Sequence, residues 1–119
     1  MISPQMIQLI ERLHGRTAAE GLPWQETEVD GVYQITFPTF SVSLSKRPSQ
    51  HHDADNDYWI SIYNSSGKLI DEISDMEFPA DFVLNGKPPY LYMEELYEMA
   101  RRTAMGVEGV LSQILAHLG

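Results

Sequence analysis

The stretch Phe40-Ser41-Val42-Ser43-Leu44-Ser45 alternates apolar and hydroxyl side chains without a lapse. Successive side chains of a strand point to opposite faces, so this period of two describes an antiparallel strand with one face buried and the other wet. Reading forward, residues 46–56 are expected to be loop. Tyr58, Ile60 and Ile62 then alternate with Trp59, Ser61 and Tyr63, and Asn64-Ser65-Ser66-Gly67 turns the chain into a strand over 68–73. Reading backward, 24–29 and 32–37 flank Asp30-Gly31, the dipeptide that supplies positive φ for a two-residue hairpin turn. The first of these strands carries Gln25, Glu26, Thr27 and Glu28, which suits a sheet edge.

Helices are predicted on both sides of this meander. Ser3 followed by Pro4 is a helix start, because Ser accepts a bond from an orphan N–H and Pro needs no partner at the first position. Ile2, Met6, Leu9, Ile10, Leu13 and Thr17 fall on one face. The helix ends at Gly15 or at Gly21; Gly21 is preferred, since Leu22-Pro23 forces extended chain after it. Residues 75–89 hold three prolines and Asn85-Gly86, yet also Met76, Phe78, Phe82, Val83 and Leu84. They read as a loop packed onto the sheet, with a helical turn over 80–84. A last helix is expected from Tyr92 or Met93, with Glu94 and Glu95 at its positive end. Its stripe is Leu96, Ala100, Thr103, Val107, Val110, Leu111, Ile114 and Leu118. Gly106 and Gly109 lie inside it at about 1 kcal/mol each relative to Ala, so the helix bends there or another backbone passes close by. The predicted architecture is α+β: a five-stranded antiparallel β-meander packed by an N-terminal helix and a long C-terminal helix, in a single domain over residues 1–119.

The 119 residues and their 43% apolar content suit one domain with one core. Cysteine is absent, which excludes disulfides, thiol catalysis and Cys-ligated metal, and fits a cytoplasmic location. No basic, then apolar, leader opens the sequence, and no run approaches the ~18 apolar residues of a membrane span. A formal charge of −9 repels phosphate backbones and anionic lipid, so neither nucleic acid nor membrane is an expected partner.

Three segments together, the run Arg16 through Trp24, Asp57-Tyr58-Trp59-Ile60-Ser61-Ile62 leading to Gly67-Lys68-Leu69-Ile70-Asp71, and the closing Leu96-Tyr97-Glu98-Met99-Ala100-Arg101-Arg102, resemble a pattern in small uncharacterised bacterial proteins of helix-meander-helix order. The resemblance implies a bacterial source, that element order and a non-enzymatic role. It carries no cofactor and no catalytic residue.

Candidate chemistry is sparse. His51, His52, Asp53, Asp55 and Asp57 gather oxygen and imidazole ligands in one loop, a weak metal candidate. The alternating carboxylates match the start of an EF-hand loop, but the positions that should be Gly and a bidentate Glu are Tyr58 and Asn64. Ser66-Gly67-Lys68 lacks the spacing of a phosphate loop, and no Ser sits in a nucleophile elbow. Asp71, Glu72, Asp75 and Glu77 read as a charged sheet edge, and His14 and His117 as histidines bordering apolar stripes. More informative is the aromatic set Phe78, Phe82, Tyr90, Tyr92 and Tyr97, followed by Arg101, Arg102 and Met105, since interaction surfaces favour Tyr, Arg and Met. With Gly106 and Gly109 these residues form a candidate interface, and the missing side chains suggest homodimerisation through the last helix. The expected function is a non-enzymatic interaction module (small adaptor, chaperone or immunity-like partner) without a cofactor. The competing expectation is a small-molecule or divalent-metal-binding protein, with its site beneath the 75–89 loop or in the 51–57 loop.

Overall fold

In a computed structural model the chain is described over residues 2–49 and 56–119. Helix α1 (Pro4–Glu20) precedes strands β1 (Gln25–Glu26), β2 (Tyr33–Thr36), β3 (Phe40–Pro48), β4 (Asn56–Asn64) and β5 (Leu69–Ser74). A single 3₁₀ turn (Asp75–Glu77) leads on to helices α2 (Pro89–Ala104) and α3 (Val107–Leu118). The sheet has the order β1-β2-β3-β4-β5, and every neighbouring pair is antiparallel. The expected α+β meander with its helices is therefore the fold.

Register explains the core. Tyr33 faces Leu44, Leu44 faces Ile60, and Ile60 faces Ile73, so one buried ladder crosses four strands. Cross-strand neighbours of this kind are the unit of sheet stabilisation. Ile10 and Leu13 of α1 and Met93, Leu96 and Ala100 of α2 close over that face. Ser3 caps α1 through its hydroxyl, which accepts from Met6 N–H at 3.1 Å, and the helix ends with Gly21 N–H on Thr17 carbonyl, at the preferred terminus. Buried Thr17 also accepts from the Trp24 indole N–H at 3.0 Å, which ties the end of α1 to the entry of the sheet.

Several boundaries differ from expectation, each for a local reason. The Asp30-Gly31 connection is not a two-residue hairpin: pairing stops at Glu26 and resumes at Tyr33, and of the two central residues only Gly31 has positive φ. The Thr27 hydroxyl holds the wider loop by donating toward the Val29 and Val32 carbonyls. The β3-β4 arms are longer than the alternation shows, since Lys46, Arg47 and Pro48 still pair with Tyr58, Asp57 and Asn56. Polar residues can extend a ladder where backbone bonds suffice. The helical turn expected over 80–84 is instead the 3₁₀ turn at Asp75–Glu77, where the Glu77 carboxylate caps the Ser74 N–H at 2.7 Å. Pro88-Pro89 starts α2 about a turn earlier than the expected Tyr92 or Met93, so Glu94 and Glu95 lie past its first turn. Finally, the single long C-terminal helix is two helices.

Candidate functional site

The break after α2 produces an apolar helix surface that the body does not cover. Through its first three turns α2 buries Tyr92, Met93, Leu96, Tyr97 and Ala100, and its last residue, Ala104, still packs partly buried against the core, which ends there. There Met105 N–H bonds the Arg101 carbonyl, Gly106 N–H bonds the Thr103 carbonyl, and Gly106 takes φ +64°. That left-handed residue turns the chain out of the α2 axis, a conformation glycine adopts without the Cβ penalty. Helix α3 restarts from it, held at its base by Val110 N–H on the Gly106 carbonyl and by Arg102 on Glu108.

No residue of α3 is buried. At 100° per residue, Val107, Val110, Leu111, Ile114, Leu115 and Leu118 share one face, and Leu115 and Leu118 are 67% and 77% exposed. At the base of α3 an open cleft of about 510 Å³ lies between the C-terminal ends of α1 and α2, lined by Thr17, Ala18, Met99, Thr103 and the paired Arg102 and Glu108. The projecting helix lengthens the whole molecule: its radius of gyration is 15.4 Å, against ~13.5 Å for a compact chain of this length.

The structure redistributes the predicted interface residues. Phe78, Tyr92 and Tyr97 are buried in the core, and Phe82 and Tyr90 pack partly buried against it, so the aromatic set serves the interior rather than a surface. Tyr97 lies between Tyr33 and Tyr58 at ring separations of 5.4 and 5.5 Å and donates to the Gly31 carbonyl at 2.6 Å. Arg101 is held by Glu98, and Arg102 by Glu108. Met105 is exposed, and nothing lies within 4 Å of a Cβ built on Gly106 or Gly109. Leu115 and the cleft went unread in the sequence. Counting the apolar arc of 107–118 separately from 89–104 would have shown Leu115; the cleft joins helices remote in the chain and has no local signal.

Titratable groups cluster between α1 and α2 in structural roles. The His14 ring stacks on Tyr92 at 3.9 Å and its Nε2 lies 3.1 Å from the Glu95 carboxylate, which also accepts from Lys87 Nζ at 2.7 Å. The hydrogen bond from Lys87, then that from His14, lower the Glu95 pKa. The Tyr58 hydroxyl donates to Glu94 at 3.2 Å; burial first, and then the Glu94 charge, raise its pKa and that of Tyr90. Burial likewise raises Tyr92, and pushes Tyr97 up to about 12. The expected charged edge is engaged rather than free: Asp75 accepts from Tyr58 N–H at 2.7 Å, Glu72 from Arg47 and Ser61, and Asp71 from Glu72 N–H.

Of the weak metal candidates, His51, His52, Asp53 and Asp55 lie outside the described residues. Asp57 is buried on β4, and its Oδ1 meets no hydrogen-bond partner among the described residues. Among the described residues no three His, Asp or Glu side chains gather to hold a metal ion, and no helix is long and apolar enough to cross a membrane. A shallow depression of about 280 Å³ lies under the 75–89 loop between Phe78, Pro79, Pro89 and Tyr90. A second, of about 360 Å³, lies on the sheet face away from the helices, among Thr27, Gln34, Ser41, Ser43 and Tyr63. Comparison with protein families, with curated proteins and with solved structures finds no match to this chain.

Proposed function

We propose that the chain is a non-enzymatic protein-interaction module of the cytoplasm, a small adaptor, chaperone or immunity-like partner, whose recognition element is α3. The observation that carries this reading is a twelve-residue amphipathic helix with no buried residue. An isolated helix of that length is marginal in water, and in folded proteins its stability comes from packing the apolar face. A contiguous exposed apolar stripe with a polar remainder is the usual mark of a docking surface, in the manner of a helix laid into a partner's groove. Because the aromatic residues support the core, the surface left for recognition is aliphatic.

The double variant Leu111→Lys/Leu115→Lys tests the proposal, since both side chains are exposed and neither supports the core. Purified from the native host, the unaltered chain is expected to bring down a defined partner that the variant loses, with thermal unfolding of the body unchanged. Equal recovery by both proteins would overturn the assignment to α3. The depression under the 75–89 loop supports a second reading, a small-molecule site walled by Phe78 and Tyr90. A ligand there at one hundred times its Kd should add about 2.7 kcal/mol of stability. A metabolite panel read by thermal shift checks this, and no shift with any compound counts against it.

A further inference from the structure

We infer that the partner of α3 is a second copy of this chain, in an antiparallel pair that sets the end of each α3 into the cleft at the base of the other. The inference rests on the reading of α3 as the recognition element and names its occupant. Area is the first argument. Burying a Val, Leu or Ile removes on the order of 60–120 Å² of apolar surface. From Val110 to Leu118 the α3 stripe is 44–77% exposed, while Val107 at its base is half-buried, so it offers only a few hundred Å². Stable interfaces bury about 800 Å² per partner. A partner that covered the stripe alone would fall short. The covering molecule must therefore reach the cleft as well as the stripe, which requires an apolar protrusion and a concavity at matching places, and a second copy of this chain brings both.

Charge is the second argument. From Gly109 to Gly119 there is no Asp, Glu, Lys or Arg, and Glu108 is held by Arg102. The stripe therefore has no charged rim to select a basic or acidic partner, while a neutral face is complementary to itself. Each chain carries a formal −9, almost all of it outside α3, and an antiparallel pair holds the two bodies at opposite ends of helices ~18 Å long. Opposed helix dipoles favour the same arrangement. In it Leu111 of one copy lies near the two-fold axis facing Ile114 of the other, and Leu118 arrives beside Val107 at the mouth of the cleft. The symmetry is isologous and closed, so assembly stops at two.

Sedimentation velocity of the whole chain across the micromolar range tests this. The expected result is a species of twice the chain mass that persists in high salt, because the contact is apolar, and that Ile114→Lys converts to a folded monomer. The absence of Cys permits a geometric test: Leu111→Cys should oxidise to a covalent dimer, and Leu118→Cys should not. A dimer that Ile114→Lys leaves intact overturns the proposal, as does cross-linking by Leu118→Cys but not Leu111→Cys. A wild type that stays monomeric at every concentration also overturns it. If that monomer loses a different host protein on Ile114→Lys, the interaction reading survives; if it loses none, both readings fail.

Discussion

Gly31 is where two constraints meet on one residue: its φ of +79° is left-handed, and a Cβ built on it would lie 3.3 Å from the Tyr97 hydroxyl that the Gly31 carbonyl binds. Gly31→Ala should cost about 1–2 kcal/mol for the backbone alone, read as a lower midpoint in denaturant unfolding. Tyr97→Phe removes the hydrogen bond and should cost about 1 kcal/mol. Because the two residues touch, the double variant should lose less than the sum. At the other end of the sheet, Thr17→Val would leave the Trp24 indole N–H buried without a partner, and a loss of about 1–3 kcal/mol is expected in the same measurement. Asp30-Gly31 was legible as a turn, since only glycine takes such a φ freely. Its width was not, because Thr27 and Tyr97 hold the loop from outside the dipeptide.

At the scale of elements, α2 and α3 show how one stripe can serve two purposes. Apolar spacing runs on from Leu96 to Leu118, so period alone predicts one helix buried along one side. The first part meets a sheet and the second does not, and Gly106 separates them. Gly109→Ala should raise the helicity of α3 and stabilise it by about 1 kcal/mol, because nothing stands within 4 Å of the new methyl. Gly106→Ala should do the opposite, costing about 1–2 kcal/mol at its left-handed φ. Circular dichroism of the two variants through thermal unfolding would show opposite displacements. Among the predicted site residues, Arg101, Met105, Gly106 and Gly109 stand on or beside this break, whereas Phe78, Tyr92 and Tyr97 went to the core. An aromatic cluster in sequence does not reveal which of its faces meets a sheet.

For the whole molecule, the contacts of α2 with α1 and with the sheet make stability depend on pH at both extremes. Glu95 has a folded pKa below its ordinary value, so its contribution is present above about pH 4.3 and is lost as pH falls through the folded pKa. Glu95→Gln should therefore flatten the acid limb of a stability profile. Tyr97 has its folded pKa raised to about 12. Its contribution is full below the unfolded value near 10 and is lost as pH rises through 12. Tyr97→Phe should blunt the alkaline loss, as measured by denaturant titration at stepped pH. Strand alternation, helix caps and turn residues act over a few neighbours, so the α+β meander, the two ends of α1 and the inner face of the sheet are legible in the amino-acid order. Which apolar residues are covered is fixed by packing between remote elements. Coverage depends on where the core ends beneath α2, and that edge is made by strands and helices far apart in the chain. Hence a stripe that looks uniform from Leu96 to Leu118 is interior in one half and open surface in the other.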